Sequence, residues 1–378
     1  MSDGRISLNE IKRSIKERNG RWTAARTSLS ELGIEDMEKR CGLIPASREL
    51  QAISRKGLDI ETSSRFLESK PSGFKSRARE LPERIDWSDK DGVDWTTPVK
   101  DQGQCGSCVA FGTLGALESL LKIHCYKDEN KEIDLSEAHL LWCGGGSCNG
   151  WHMDDACAYV EENGVPDEAC FPYRDVPMSC RDTCPEWKKW IGDTKIESWS
   201  STKDVEVMKA NLVNNGPQIT GMAVYEDFFS YKSGVYQHIT GKLAGYHCVT
   251  VLGFDDDEEC WICKNSWGTG WGEGGLFKIG YGECGVDDVF GMWDIKVKTA
   301  ADGDECRPAG LGLGHGGAAP GQEGAVGPGR LEPVRHQFPG AGLSRSHHRA
   351  GAARQRQPAA RVSPERVSIC MMGYAPRR

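Results

Sequence analysis

Apolar residues follow two different rhythms along the 378-residue chain. Between 98 and 123, PVKDQGQCGSCVAFGTLGALESLLKI passes from a polar, turn-rich run into spaced apolar positions: Leu114, Leu117, Leu120, Leu121 and Ile123. That spacing predicts a loop handing over to an amphipathic helix. LSEAHLLWC (135–143) predicts a second helix, capped by Ser136 with Glu137 in its first turn. MDDACAYVEENG (153–164) predicts a third, ending at a glycine suited to a C-cap. Beyond about residue 190 the rhythm shortens. QITGMAVY, HCVTVLGF, CWICKNSW, GLFKIGY and GMWDIKVK are short runs rich in β-branched and aromatic residues, which predict an antiparallel sheet or barrel. A helical stretch over about 81–190 and a β stretch over about 191–299 make the class α+β.

Both ends of the chain differ from this body. Residues 7–19 form a polar run with helical character, and 21–43 offer Ser28 or Ser30 as helix caps. Residues 44–80 are expected to be an extended basic linker. From Ala300 onward the composition turns to Gly, Ala, Pro and Arg, with no Lys and no periodicity. Such a segment cannot bury a core and is expected to be disordered, either as a basic tail or as an out-of-frame extension. Cys306 and Cys370 are accordingly expected to stand outside any disulfide framework. The divisions are therefore 1–80, 81–299 and 300–378.

Charge separates the same regions. The net charge is −8, yet residues 1–80 carry 17 Lys and Arg against 12 acids, and residues 300–378 carry 11 Arg against 6 acids. The remaining body holds −18, the wrong sign for nucleic acid. It suits a basic leader that docks on an acidic body and lets go as carboxylates protonate. No stretch is expected to reach the length and apolarity of a membrane span. Thirteen of the 16 cysteines lie between 105 and 284, which favours an oxidising compartment, secreted or lysosome- and vacuole-like. MSDGRISLNEIKRSIKERNG shows no apolar core of signal-peptide type, so the compartment stays open.

Candidate chemistry centres on Cys108, where loop meets helix. The positive end of the helix dipole favours thiolate there. Gly103, Gly106 and Ser107 allow close approach, and Gln102 offers an amide donor six residues earlier. Together these could form a nucleophile with an oxyanion site. Taken alone, Cys105 and Cys108 are also a CxxC pair for redox or metal chemistry.

The flanking residues favour the nucleophile. QGQCGSCVAFG resembles the nucleophile motif of the papain-like cysteine proteases, and KNSWGTGWGEGG (264–275) resembles a second motif of that family. The resemblance covers 81–299 and implies a two-lobe papain-like fold with the site in the cleft. It implies Cys108 as nucleophile, Gln102 as oxyanion donor, His247 as base, Asn265 as the group orienting that base, and Trp267 as its shield from water. It also implies disulfides Cys105–Cys148 and Cys143–Cys180. Apart from the resemblance, the extra cysteines could form further bridges, with Cys170–Cys184 and Cys263–Cys284 as guesses. Substrate would meet Gly150, Trp151, Met153, Gly221, Tyr246, Cys248, Trp267 and Val289. No metal or organic cofactor is called for.

Residues 21–43 resemble the short propeptides of the cathepsin B type, with a Trp and Ala at the start and Cys-Gly near the end. Such a prosegment would cross the cleft in reverse as an intramolecular inhibitor, with cleavage near Arg77 to Glu80. Three departures stand out: Val109 where the family has Trp, Trp151 where a second Gly is common, and no His-rich insertion over 150–190. The last favours an endopeptidase. The specificity pocket reads as apolar, although Asp287 or Asp288 could admit a basic side chain. The expected protein is a monomeric zymogen acting on peptides or proteins. The competing readings are a catalytically silent peptide binder prompted by Trp151, and a thiol-redox or zinc protein built on CGSC and CWIC (260–263).

Overall fold

The computed structural model describes residues 5–58, 81–189, 191–300 and Cys306. At its centre is β6 (Leu243–Asp255), which pairs with β4 (Gln218–Tyr225), β7 (Cys260–Lys264) and the short β2 (Arg84–Asp86). β7 continues to β8 (Leu276–Gly280) and β5 (Tyr231–Tyr236), and β4 continues to β9 (Met292–Val297) and β3 (Ile196–Thr202). All eight residues of β4 are buried, so both of its faces are covered. The antiparallel expectation holds for every body pairing except β5 with β8, which run parallel.

α4 (Cys108–Leu120) continues as a π-helical turn through Tyr126. It is not amphipathic, because every α4 residue is buried. Leu114, Leu117 and Leu120 fill one face, while small residues line the face toward β6. A Cβ on Gly112 would lie 2.8 Å from Cys248 Sγ, and one on Gly115 would lie 2.6 Å from Thr250 Oγ1. Helix and sheet approach closely only because these side chains are missing. The same burial corrects the membrane expectation. Cys108–Tyr126 does reach the length and apolarity of a span, but 89% of it is buried in this core.

α5 (Glu137–Gly144) starts at Ser136, whose Oγ accepts from His139 N at 2.9 Å. α6 (Met153–Asn163) ends at Gly164, where φ is +72°. These helices enclose one core with α4. A second core lies in the sheet around Phe228, Tyr236, Trp261, Trp271 and Phe277. A buried polar chain links the two: Lys264 of β7 donates to Thr97 O (2.6 Å), Thr97 Oγ1 donates to Glu118 of α4, and Lys100 joins Glu118 to Glu137 of α5.

The prosegment is more structured than its composition suggests. α1 (Leu8–Glu17) is closed by a capping box of Ser7 and Glu10. β1 (Trp22–Ala24) adds to the edge of β5. α2 (Ile34–Glu38) follows Gly33, so neither Ser28 nor Ser30 caps a helix; Ser30 Oγ instead accepts from Thr27 N. α3 (Ser47–Lys56) occupies what was expected to be extended linker. Glu49 closes its N-terminus by accepting from Ala46 N, Ile53 is buried, and Gly57 ends it at φ +68°. The cleavage stretch Arg77 to Glu80 lies outside the described residues, as does the chain from 307 onward.

Four disulfides are present among the described residues. Cys105–Cys148, Cys143–Cys180 and Cys170–Cys184 match expectation. Cys125–Cys306 does not: it ties the start of the C-terminal segment to the helical lobe. Cys263 and Cys284 are unbonded, each packing as a small apolar side chain in the β core.

Candidate active site

Cys108 is the first residue of α4 and is fully buried. Its sulfur faces the N–H groups of Cys108, Val109, Cys248 and Gly42. The first two belong to the open N-terminus of α4, where no neighbouring residues accept them. Cys248 follows His247 in β6, so the strand brings the imidazole beside the helix that carries the thiol.

His247 Nε2 and Asn265 Oδ1 lie 2.7 Å apart, both side chains buried. That contact places the ring proton on Nε2 and leaves Nδ1 to exchange a proton. Trp267 covers the pair, its ring 4.8 Å from the imidazole. Asn265 Oδ1 also accepts from Ser266 N at 2.8 Å. Ser266, which sequence reasoning passed over, holds Gln102 in turn. Its Oγ donates to Gln102 Oε1 (2.7 Å) and its carbonyl accepts from Gln102 N (2.9 Å). With Oε1 occupied, Gln102 Nε2 must point the other way. It donates to Cys105 O at 2.8 Å and Arg40 O at 3.2 Å.

Arg40 belongs to the prosegment, and its carbonyl lies against both Gln102 Nε2 and the His247 ring. The next residues fill the cleft. Trp151 N donates to Gly42 O (2.9 Å), Ile44 N to Trp151 O (2.9 Å) and Leu43 N to Tyr246 O (3.0 Å). Leu43 runs parallel to Trp151. Trp151 therefore pairs through its backbone, and its side chain packs away against Gly144 and Gly146. Gly150 has φ +115°, and a Cβ there would meet Gly42 O at 2.5 Å. Gly42 is equally constrained, since its Cβ would fall 1.9 Å from Gly106 O.

The Leu43 side chain packs against Gly221 and Phe290, in one apolar cluster with Met153, Cys248 and Val289. Phe290 was missing from the expected pocket. Asp287 is buried, accepting from Trp261 Nε1 (3.0 Å) and Gly282 N (2.9 Å), and Asp288 pairs with Lys56 of α3.

Burial pushes the Cys108 thiol up to about 11, against the pull of the four N–H groups. Burial likewise pushes His247 down to about 4, with the Asn265 hydrogen bond working against it. The thiolate expected from the helix dipole is therefore not the covered state. The covered site holds a neutral thiol and a neutral imidazole. The CxxC reading also fails, because Cys105 is committed to Cys148. Among the described residues no group of His, Cys, Asp or Glu is arranged to hold a metal ion.

Residues 81–291 match the family model described as papain family cysteine protease. The chain is a papain-family cysteine protease. It is 35% identical over 301 residues to the cathepsin B-like CP3 of Giardia intestinalis, covering 75% of this chain and 92% of that one. It is 36% identical over 218 residues to cysteine proteinase 2 of Entamoeba histolytica, covering 55% and 67%. Among solved structures, procathepsin B S9 of Trypanosoma congolense aligns with a TM-score of 0.60 at 24% identity, covering 78% of this chain and 99% of that one. Procathepsin L2 of Tenebrio molitor aligns at 0.58 and 26% identity, covering 76% and 90%. Both are proforms. This papain-family protease likewise carries a prosegment, acts on peptide or protein substrates, and has an α+β fold of the family type.

Proposed function

We propose that Cys108, His247, Asn265 and Gln102 carry peptide hydrolysis once the Arg40–Ile44 segment has left the cleft. Re-exposure to water removes the burial that keeps thiol and imidazole neutral, and a proton passes from Cys108 to His247 Nδ1. The thiolate attacks the scissile carbonyl. The resulting oxyanion accepts from the Cys108 N–H and Gln102 Nε2. His247 gives its proton to the leaving amine, and water, deprotonated by the same imidazole, then cleaves the thioester. Asn265 keeps the ring in one tautomer throughout.

The observation that carries this is the Arg40 carbonyl held by Gln102 Nε2 beside His247. This backbone carbonyl supports the reading of Gln102 as a donor to a substrate carbonyl. The seat of Leu43 supports an aliphatic side chain two positions before the scissile bond. An endopeptidase is supported by the short Cys170–Cys184 loop, which holds no histidine. The four disulfides support an oxidising compartment, secreted or lysosome-like.

The test is kinetic. In the processed enzyme, Cys108→Ala and His247→Ala should each lower kcat by about a thousandfold or more. Asn265→Ala should lower it by about ten- to a hundredfold, as removal of an orienting partner does. A processed enzyme that resists an epoxide thiol inhibitor at Cys108 yet hydrolyses peptides would overturn the assignment. One that resists labelling and hydrolyses nothing would instead favour the silent peptide binder.

A further inference from the structure

The two oxyanion donors lie on different segments, Gln102 in a loop and Cys108 at the start of α4, and catalysis needs them at a fixed separation. Ser266 holds Gln102 from the β side. On the helical side the contact comes from Tyr173, in the loop between Cys170 and Cys184. Tyr173 Oη donates to Gln102 O at 2.8 Å and lies 2.6 Å from Ser107 Oγ. A phenol has one proton. Since that proton goes to Gln102, Ser107 must donate to the phenol oxygen. The chain thus runs from Ser107 through Tyr173 to Gln102.

Ser107 is the N-cap of α4, yet its side chain makes no capping hydrogen bond. Serine is preferred at that position because it caps. Here the hydroxyl is turned to Tyr173, and the first N–H groups of the helix stay free for the sulfur and for an oxyanion. The Tyr173 ring is itself fixed, edge-on to Phe111 of α4 at 4.9 Å. Two residues on, Asp175 Oδ2 accepts from Gln104 N at 3.0 Å. Gly103 leaves room for that carboxylate: its φ is +61°, and a Cβ there would fall 2.3 Å from Asp175 Oδ2. The disulfide-closed loop therefore clasps 102–104 as a unit.

We propose that Tyr173 is a positioning residue for the oxyanion site, its hydroxyl holding the Gln102 loop to the N-terminus of α4. This rests on Gln102 and the Cys108 N–H being the oxyanion donors. The test uses Tyr173→Phe in the full processed enzyme, which keeps the ring packing on Phe111. Expected are a fall in kcat of about tenfold, less than removal of a donor outright, and an unchanged KM. Affinity for a peptide aldehyde, whose hemithioacetal oxygen needs both donors, should fall by the same factor. The rate of Cys108 alkylation by iodoacetamide, which needs no oxyanion site, should not change. An unaltered kcat, an unaltered aldehyde affinity, or an alkylation loss matching the kcat loss would each overturn the proposal. Ser107→Ala combined with Tyr173→Phe guards against a packing artefact. Positioning predicts that the double variant stays slow, whereas recovery of kcat would mean that an orphaned Ser107 hydroxyl was the cause. Gln102→Ala separates the premise: if it retains kcat, the oxyanion assignment fails, and if only Tyr173→Phe does, the positioning role alone fails.

Discussion

Residues 8–38 and 40–58 of the prosegment meet the protease body differently, although each combines apolar burial with backbone pairing. The first part inserts Ile11, Ile15, Trp22, Leu29 and Met37 into the β-lobe core. The second lies in the cleft through backbone pairing at Gly42, Leu43 and Ile44, with ion pairs Arg40–Asp101 (2.9 Å), Arg48–Asp154 (3.9 Å) and Lys56–Asp288. Apolar burial does not titrate, so the anchor is indifferent to mild acid. The plug sits on groups whose protonation changes when it leaves. One chain segment thus separates the strength of docking from its control.

Trp22→Ala tests the anchor and should have the largest effect. The indole is 2% exposed, between Tyr231 and Tyr236. Its loss should cost the precursor about 3–5 kcal/mol in urea unfolding, measured on a Cys108→Ala background to prevent processing. A shift under 1 kcal/mol would place the anchoring elsewhere.

Gly42→Val tests the plug alone. Its branched side chain would run into the Gly106 backbone, at a cost of about 1–3 kcal/mol. Alkylation of Cys108 in the unprocessed chain should quicken by about ten- to a hundredfold, while the anchor keeps the prosegment attached in gel filtration. An unchanged alkylation rate would mean that the cleft is closed by something other than this segment.

Arg40→Met should have the smallest effect. The guanidinium is buried, but Asp101 is half exposed, so the pair contributes about 1 kcal/mol or less. Alkylation of the precursor should rise no more than about fivefold, with reduced salt dependence. A larger change would restore the opposite charges of leader and body as the main docking force.

The candidate site was legible because its residues come in dense motifs: Gln102 and Cys108 in one, Asn265 and Trp267 in the other. Cys105–Cys148 and Cys143–Cys180 were legible by the same resemblance, and Cys170–Cys184 only as one pairing among the remaining cysteines. Ser266 and Tyr173 were not, since their roles depend on which backbone groups folding brings to them across 164 and 71 residues. Cys125–Cys306 closes a separation of 181 residues from a segment whose composition suggested nothing folded. α3 was hidden because it turns little more than Ile53 and Glu49 inward, too few positions for a periodic signal. α4 misled in the opposite sense: its apolar spacing predicted an amphipathic helix, but the side with Gly112 and Gly115 is where β6 fits.

The central claim is that the prosegment keeps Cys108 and His247 neutral over an otherwise assembled site. Covered, the thiol is pushed up to about 11 and the imidazole down to about 4, so both stay neutral between those limits; raising the pH toward 11 ionises the thiol, lowering it toward 4 charges the imidazole, and each change disfavours the covered state. Glu49, whose carboxyl burial raises, works against acid release. The direct measurement is the rate of Cys108 alkylation by iodoacetamide against pH, in the precursor and in the processed enzyme. The account predicts a precursor that is slow over about pH 5–8 and climbs only toward 11, beside a processed enzyme already fast over that same range. Superimposable profiles would contradict it.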